Sequence, residues 1–433
     1  MKVRWFAFGL WFVFSGSVHG QTPARPNILV VLTDDLAYSD IGPYGGEIPT
    51  PNLNQLASDG LAFRNFYVTP RCSTTRASLL TGLQSHAIGL PGLANNMASL
   101  DKNHVMIPEV LRGVGYRTYM SEKWHLGLTD NFGSIDANSP RDPRVRGFDH
   151  FWGFTDSHSA DNFNQEDGYR LLSTEIPTRT YAPGVDGQPG EFYQTDATTD
   201  YALDFIQHNR TQNTAQGTDD PFFLHVAYGA PHVPLQARDE WIEPLVPTYE
   251  AGWDVLREER LARMKATGML DASVSLSPPS DVRHNPPNQP DTTHPVMLWD
   301  ELAADRQDDL ARRMAIYAAM VERVDHNLGR VISDLEANGE LDNTLILFLS
   351  DNGPNAENHE FGKKKSEEPR TGAHTFSQTA KRSDPLAKVL RIQLQESLMA
   401  LGVPPIAKSV LFSEHAEIMA DSRDNPPSPP CWR

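Results

Sequence analysis

Cysteine is scarce in this chain of 433 residues: it has two, Cys72 and Cys431. Cys431 sits close to the C-terminus in a Pro/Ser-rich tail, so no disulfide framework is available, and stability must come from core burial, to which a metal could add. Cys72 is thereby left for chemistry. Cationic residues are outnumbered, 38 Lys and Arg against 56 Asp and Glu, for a formal net charge of −18. No basic stripe accompanies them, which argues against nucleic acid as a partner. An anionic substrate would have to be drawn by a local group of cations. Long apolar runs are also few. Trp5 to Phe14 follows Lys2 and Arg4, is too short to span a bilayer comfortably, and gives way to the small residues Ser15 to Gly20. Residues 1–20 therefore read as a secretory signal peptide cleaved near Gly20. The expected location is periplasmic or secreted, with no stable membrane partner.

What is present is ordinary globular material. A hydrophobic content of 39% and an aromatic content of 9% allow a sizeable core, enough for one large α/β domain with an elaboration. Four segments share a pattern in which an apolar run stops at polar residues. They are Asn27–Leu32 before Thr33-Asp34-Asp35, Tyr116–Met120 before Ser121-Glu122-Lys123-Trp124-His125, Pro221–Tyr228 before Gly229-Ala230-Pro231-His232, and Thr344–Leu349 before Ser350-Asp351-Asn352-Gly353. Near-continuous runs of this length predict strands covered on both faces. Sites in open α/β sheets form at the carboxyl ends of strands, so the four polar clusters are expected on one edge of one sheet. Met314, Tyr317, Val321, Val324, Leu328, Val331 and Leu335 draw a helical stripe closed by Asn338-Gly339. An earlier helix is predicted over Thr195 to His208. Between these helices, residues 240–305, with the Pro-rich stretch Ser277 to Pro295, read as a surface insertion that could act as a lid.

Asp34 and Asp35 end one predicted strand, and Asp351 and Asn352 end another. Oxygen donors of this kind select a hard divalent cation, Ca²⁺ or Mg²⁺. Each pair alone fits an ordinary turn. Placed together, the three carboxylates repel one another unless a cation lies among them. The string Cys72-Ser73-Thr74-Thr75-Arg76-Ala77-Ser78-Leu79-Leu80-Thr81-Gly82 sets a thiol in a polar turn with an arginine one helical turn on. A structural reading is also open, in which small polar residues cap a helix, Leu79 and Leu80 enter the core, and Cys72 is inert filler. Lys123 and His125 are placed on the same side of an extended segment. His232 lies in a loop whose flanking prolines restrict the backbone.

These residues resemble the sulfatase signature, Cys-x-Pro-x-Arg followed by Leu-x-Thr-Gly, with Thr74 where that family usually has Pro or Ala. Asp34-Asp35, Lys123-Trp124-His125-Leu126-Gly127, Ala230-Pro231-His232 and Asp351-Asn352-Gly353 are similar to further sulfatase motifs in the same order. Gly252-Trp253-Asp254, Arg257, Arg260 and Tyr317–Val321 resemble bacterial arylsulfatases in particular. The resemblance runs from about Pro26 to Gly353. It implies an alkaline-phosphatase-like α/β sulfatase fold, a large mixed and mostly parallel sheet flanked by helices, with residues 22–353 as the catalytic domain.

The resemblance further implies sulfate-ester hydrolysis of the arylsulfatase type, on a small aryl or carbohydrate sulfate. Cys72 would be oxidised to formylglycine by a formylglycine-generating enzyme. Asp34, Asp35, residue 72, Asp351 and Asn352 would hold Ca²⁺, with Mg²⁺ as the alternative. Arg76 and Lys123 would grip the sulfate, Asp351 would take the nucleophile's proton, His232 would assist the leaving alcohol, and His125 would help eject sulfate. Phosphoester or phosphonate hydrolysis on the same fold is an alternative reading, as is a catalytically silent metal-binding homologue. Residues 354–433 do not match the family's usual ending. A truncation or a shifted frame past Gly362 is one explanation, and the last residues read as disordered. Lys363 to Lys365 and Lys408 are the candidates for a second substrate-gripping lysine.

Overall fold

The computed structural model describes residues 25–92, 94, 103–127, 139, 141–155, 161–165, 168–185, 189–276 and 298–354. The expected signal peptide, the Pro-rich stretch of the insertion, Cys431 and the C-terminal region from residue 355 lie outside the described residues. The strands are β1 (Asn27–Thr33), β2 (Arg117–Glu122), β3 (His150–Gly153), β4 (Arg170–Leu172), β5 (Phe222–Ala227) and β6 (Thr344–Ser350). They form one sheet in the order β4-β3-β2-β5-β1-β6, parallel throughout except for the β3–β4 pair. The register sets Leu29 of β1 beside Leu224 of β5 and Ile346 of β6.

The helices are α1 (Pro51–Asp59), α2 (Cys72–Thr81), α3 (Ile107–Gly113), α4 (Gln194–Gln216), α5 (Asp239–Ile242), α6 (Val246–Glu250), α7 (Gly252–Ala266) and α8 (Ala304–Ala337). Strand alternation sends Leu29 and Val31 to the face covered by α4 and α8, and Val30 and Leu32 to the face covered by α2, where Ala77 and Leu80 meet Met120, Phe148 and Phe223. Each such aliphatic side chain contributes about 1.5–3 kcal/mol by leaving water. The predicted stripe occupies α8, a helix of 34 residues, and Gly339 follows its end with φ 69°. The helix also carries Asp325. Its carboxylate accepts the backbone N–H groups of Asn52 (3.1 Å) and Leu53 (2.7 Å) and so caps α1 from a distance.

Three expectations are corrected. The first half of the 240–305 segment is no surface excursion. Its α6 packs on α8, Tyr249, Trp253 and Leu256 join the main core, and Arg260 is buried between Asp40 (2.6 Å) and Glu47 (2.6 Å). Apolar residues at helical spacing anchor it, a signal masked by the prolines downstream. The helix expected over Thr195 to His208 runs on to Gln216, where Gly217 closes it at φ 65°. Finally, among the described residues β6 is not covered on both faces. Among the described residues it is an edge strand, with Leu345 49% and Leu347 41% exposed. A cavity of about 430 Å³ lies alongside, lined by Leu61, Phe63, Phe66, Leu347 and Leu349 among others.

Candidate active site

Parallel neighbours end together, so β1, β2, β5 and β6 deliver their following residues to one edge. Backbone hydrogen bonds lock the four ends: Asp34 N–H donates to Ala230 O (3.2 Å), Asp351 N–H to Thr33 O (3.0 Å), and Lys123 N–H to Ala227 O (3.1 Å). Among non-glycine described residues, positive φ occurs at Asp35 (63°), Glu122 (85°) and His125 (52°), all at this edge. Left-handed backbone of this kind is costly for ordinary residues and collects where side chains are being aimed. It also corrects the extended geometry expected between Lys123 and His125. Gly153, at φ 138°, lets β3 approach the Glu122 turn, because a Cβ there would collide with the Glu122 backbone.

Cys72 is the first residue of α2 and not part of a free turn. Arg71, Thr69, Thr74 and Thr75 organise the start of that helix. The Thr74 hydroxyl donates to Arg71 O at 2.7 Å, while Thr75 Oγ1 accepts the Thr69 N–H at 2.9 Å. The departure at position 74 is thus absorbed by hydroxyl bonding within the turn. One helical turn on, Arg76 is buried. Its Nε and Nη2 donate to Asp351 Oδ2 (2.9 and 2.8 Å), and its Nη1 donates to Lys123 O (2.7 Å).

The ligating atoms of Asp34, Asp35, Cys72 and Asp351 all lie within 4.8 Å of one another, and all four residues are buried. Lys123 is paired with Asp34, and Asn352 donates to Asp35. Asp35 N–H donates to Asp351 Oδ1 at 3.3 Å, and His232 Nε2 faces Asp35 Oδ2 at 3.5 Å. Val233 O is a pure acceptor, so His232 Nδ1, 2.7 Å from it, carries the hydrogen. Asp34 Oδ1 and Asn352 Oδ1 are buried with no hydrogen-bond partner, and neither ring nitrogen of His125 has one. Buried oxygens without donors, beside three carboxylates, suit a hard divalent cation. The residues present therefore fit the implied metal.

Burial alone would raise the Asp34 carboxyl, but Lys123, His232 and Arg76 together hold it well below the usual carboxylate range. Asp351 is pushed up to about 7, by burial first and then by the charge of Asp34. Burial and the same two aspartates push the Cys72 thiol far up, so an unmodified thiol here is neutral and a poor nucleophile. His125 is pushed down by burial and by Lys123 and Arg76; His232 is pushed down chiefly by burial. Both are neutral bases near pH 7.

The structure thus brings together Asp34, Asp35, Cys72, Arg76, Lys123, His125, His232, Asp351 and Asn352, while the candidate lysines Lys363 to Lys365 and Lys408 lie outside the described residues. Sequence reasoning missed Glu122. Its carboxylate accepts the Lys123 N–H (2.7 Å) and the Gln194 amide (2.8 Å), and burial pushes it up to about 7. Asn162 and Gln194 join Glu122, Lys123 and His232 around a small cavity at the same edge.

The sheet, with this cluster at its carboxyl edge, defines an α/β protein with a pocket suited to a hard cation. The sulfatase family profile matches residues 26–377, and the chain belongs to the sulfatase family. The chain is 34% identical over 349 residues to an uncharacterized sulfatase of Schizosaccharomyces pombe, covering 76% of this chain and 58% of that protein. It is 31% identical over 368 residues to an arylsulfatase of Klebsiella aerogenes, covering 82% and 72% respectively. An N-acetylglucosamine-6-O-sulfatase of Bacteroides thetaiotaomicron is 28% identical over 367 residues, covering 76% and 58%. The chain thus spans 58% to 72% of the length of these relatives. The crystal structure of Ps i-CgsB superposes with a TM-score of 0.51 at 23% identity, over 92% of this chain and 77% of that one, a likeness of fold.

Proposed function

We propose that this site hydrolyses sulfate esters in the arylsulfatase manner. The observation that carries the reading is the convergence of Asp34, Asp35, Asp351 and residue 72 within 4.8 Å, with Arg76 and Lys123 laid between the carboxylates. The arylsulfatase of Klebsiella aerogenes supports an aryl sulfate as substrate, and the Bacteroides N-acetylglucosamine-6-O-sulfatase a carbohydrate one. Asp34, Asp35, Asp351 and Asn352 would hold the divalent cation, Ca²⁺ by donor type. In this reading residue 72, oxidised to formylglycine, would supply the nucleophilic oxygen, and the cation held there would supply Lewis acidity.

The remaining work belongs to this chain's own side chains. Asp351 takes up a proton at Oδ1, the oxygen that Arg76 leaves open. Arg76 fixes that carboxylate and, with Lys123, offsets negative charge developing on a sulfate. His232, neutral with its Nδ1 hydrogen committed to Val233 O, first takes a proton from solvent at Nε2 and then passes it to the departing alcohol. His125, neither of whose ring nitrogens has a hydrogen-bond partner, accepts a proton as sulfate leaves.

The test compares turnover of an aryl sulfate with that of the matching phosphate monoester and diester, alongside the mass of the peptide carrying residue 72. The expected result is preference for sulfate, with an aldehyde or diol mass. Cys72→Ala abolishes turnover, and Cys72→Ser leaves at most a slow or single-turnover reaction. Sustained wild-type-like turnover by either variant removes the oxidised residue from the reading, and a phosphate preference overturns the substrate class.

A further inference from the structure

A second group of ligating side chains lies well away from the carboxyl edge. His150 opens β3, Glu175 follows β4, and His208 projects from α4. Their ligating atoms all lie within 4.8 Å of one another. His208 Nε2 is 3.5 Å from Glu175 Oε2, and the two imidazole rings meet at 70° with centroids 4.8 Å apart. Donors around a tetrahedral zinc at about 2.0–2.1 Å are separated by roughly 3.3 Å, so the His208–Glu175 spacing is already that of a coordination edge. We propose that His150, His208 and Glu175 form a zinc site, distinct from the catalytic cluster, that ties the β3–β4 edge of the sheet to α4.

The surroundings are arranged as such a site requires. His150 Nδ1 is 2.8 Å from Ser173 Oγ, and that oxygen is itself held by the N–H groups of Glu175 (3.1 Å) and Ile176 (3.1 Å). One ring nitrogen of His150 is thus engaged by a fixed hydroxyl; with Nε2 on a metal, Nδ1 would carry the ring hydrogen and donate it to that oxygen, the usual division of labour in a ligating histidine. Burial pushes both imidazoles down, so each is neutral and carries a lone pair near pH 7. Tyr119 stacks on His150 (5.7 Å) and sets its ring edge-on to His208 (6.2 Å). Its hydroxyl is buried and has no hydrogen-bond partner. Glu175 is 56% exposed and gives an ion a route in from solvent. Two nitrogens and one carboxylate oxygen match the donor preference of Zn²⁺, whereas the all-oxygen set at the carboxyl edge favours Ca²⁺. Tyr119 precedes Glu122 by three positions on β2, about 10 Å at the strand rise, so the two groups are separate.

The test uses the full chain, stripped with chelator and then returned to excess Ca²⁺ so that the oxygen-rich cluster is filled. Titration with Co²⁺ is expected to give one equivalent of the intense visible absorption of a low-coordinate site, bleached by Zn²⁺. Glu175→Gln, at an exposed position, and His208→Gln each raise the Co²⁺ dissociation constant by about tenfold or more. His232→Gln leaves it unchanged, and circular dichroism melts establish that each variant is folded. The proposal is overturned if the wild type shows no such band, if the band survives unaltered in folded Glu175→Gln and His208→Gln, or if His232→Gln removes it.

Discussion

Asp34, Asp35, Arg76, Lys123 and Asp351 are all buried at the carboxyl edge of the sheet, whereas Leu345 and Leu347, on the β6 flank of the same sheet, are 49% and 41% exposed. One region puts charge where apolar groups usually lie, and the other does the reverse. The first is tolerable because nearly every charge has an opposite neighbour: Arg76 on Asp351, Lys123 on Asp34. The second is tolerable because β6 still packs the half-buried Ile346 and Phe348 against the main core, and its exposed leucines cost nothing once folded beyond what they cost unfolded. Burial is therefore decided by function at one place and by strand position at the other.

The largest expected effect breaks the charged lattice. Arg76→Ala leaves Asp351 buried without its paired donors and should destabilise the chain by about 3–5 kcal/mol in urea titrations. A loss below about 1 kcal/mol would mean that the pairings are not what holds the cluster. Leu29→Ala, in the middle of β1, should cost about 2–5 kcal/mol on the same scale.

A cation sharpens the comparison next. The folded chain keeps protons on Asp351 and Glu122 up to about pH 7, while the unfolded chain releases them near the ordinary values of 3.8 and 4.5. Cation-free stability from these two groups therefore falls as pH rises from about 4 to about 7. On the reading proposed above, a divalent cation such as Ca²⁺ held by Asp351 displaces that proton, so its stabilisation, about 2.7 kcal/mol at a hundredfold excess over Kd, should grow across that window. Melting with and without Ca²⁺ at pH 5 and pH 8 checks this, and an equal gain at both would exclude Asp351 as a ligand. Smallest of all, Leu345→Ala on the flank should change stability by no more than about 0.5 kcal/mol. A cost like that of Leu29→Ala would show the flank to be covered in solution.

Much of this contrast was legible in the sequence. The apolar runs of β1, β2, β5 and β6 announced a parallel sheet, and the polar residues closing each run named the edge where the cluster forms. The heptad-like spacing from Met314 to Leu335 announced α8. Strands β3 and β4 were not legible, because His150–Gly153 and Arg170–Leu172 are too short to establish a period. Glu122 was hidden because one acidic residue beside a lysine looks like surface; its importance comes from a left-handed turn that pulls it inward. Nor can an apolar run reveal how many of its faces find cover. In β6 the same kind of sequence as β1 meets a neighbour on one side only among the described residues.

The arithmetic of the cluster has one more outcome. When Asp34, Asp35 and Asp351 are ionised they exceed Arg76 and Lys123 by a single negative charge, a balance that a dication reverses. An anion is repelled from the empty pocket and welcomed by the loaded one. On the proposed function, binding is then ordered, metal ahead of ester, and apparent affinity for a sulfate ester should follow the free concentration of the divalent cation until the pocket saturates.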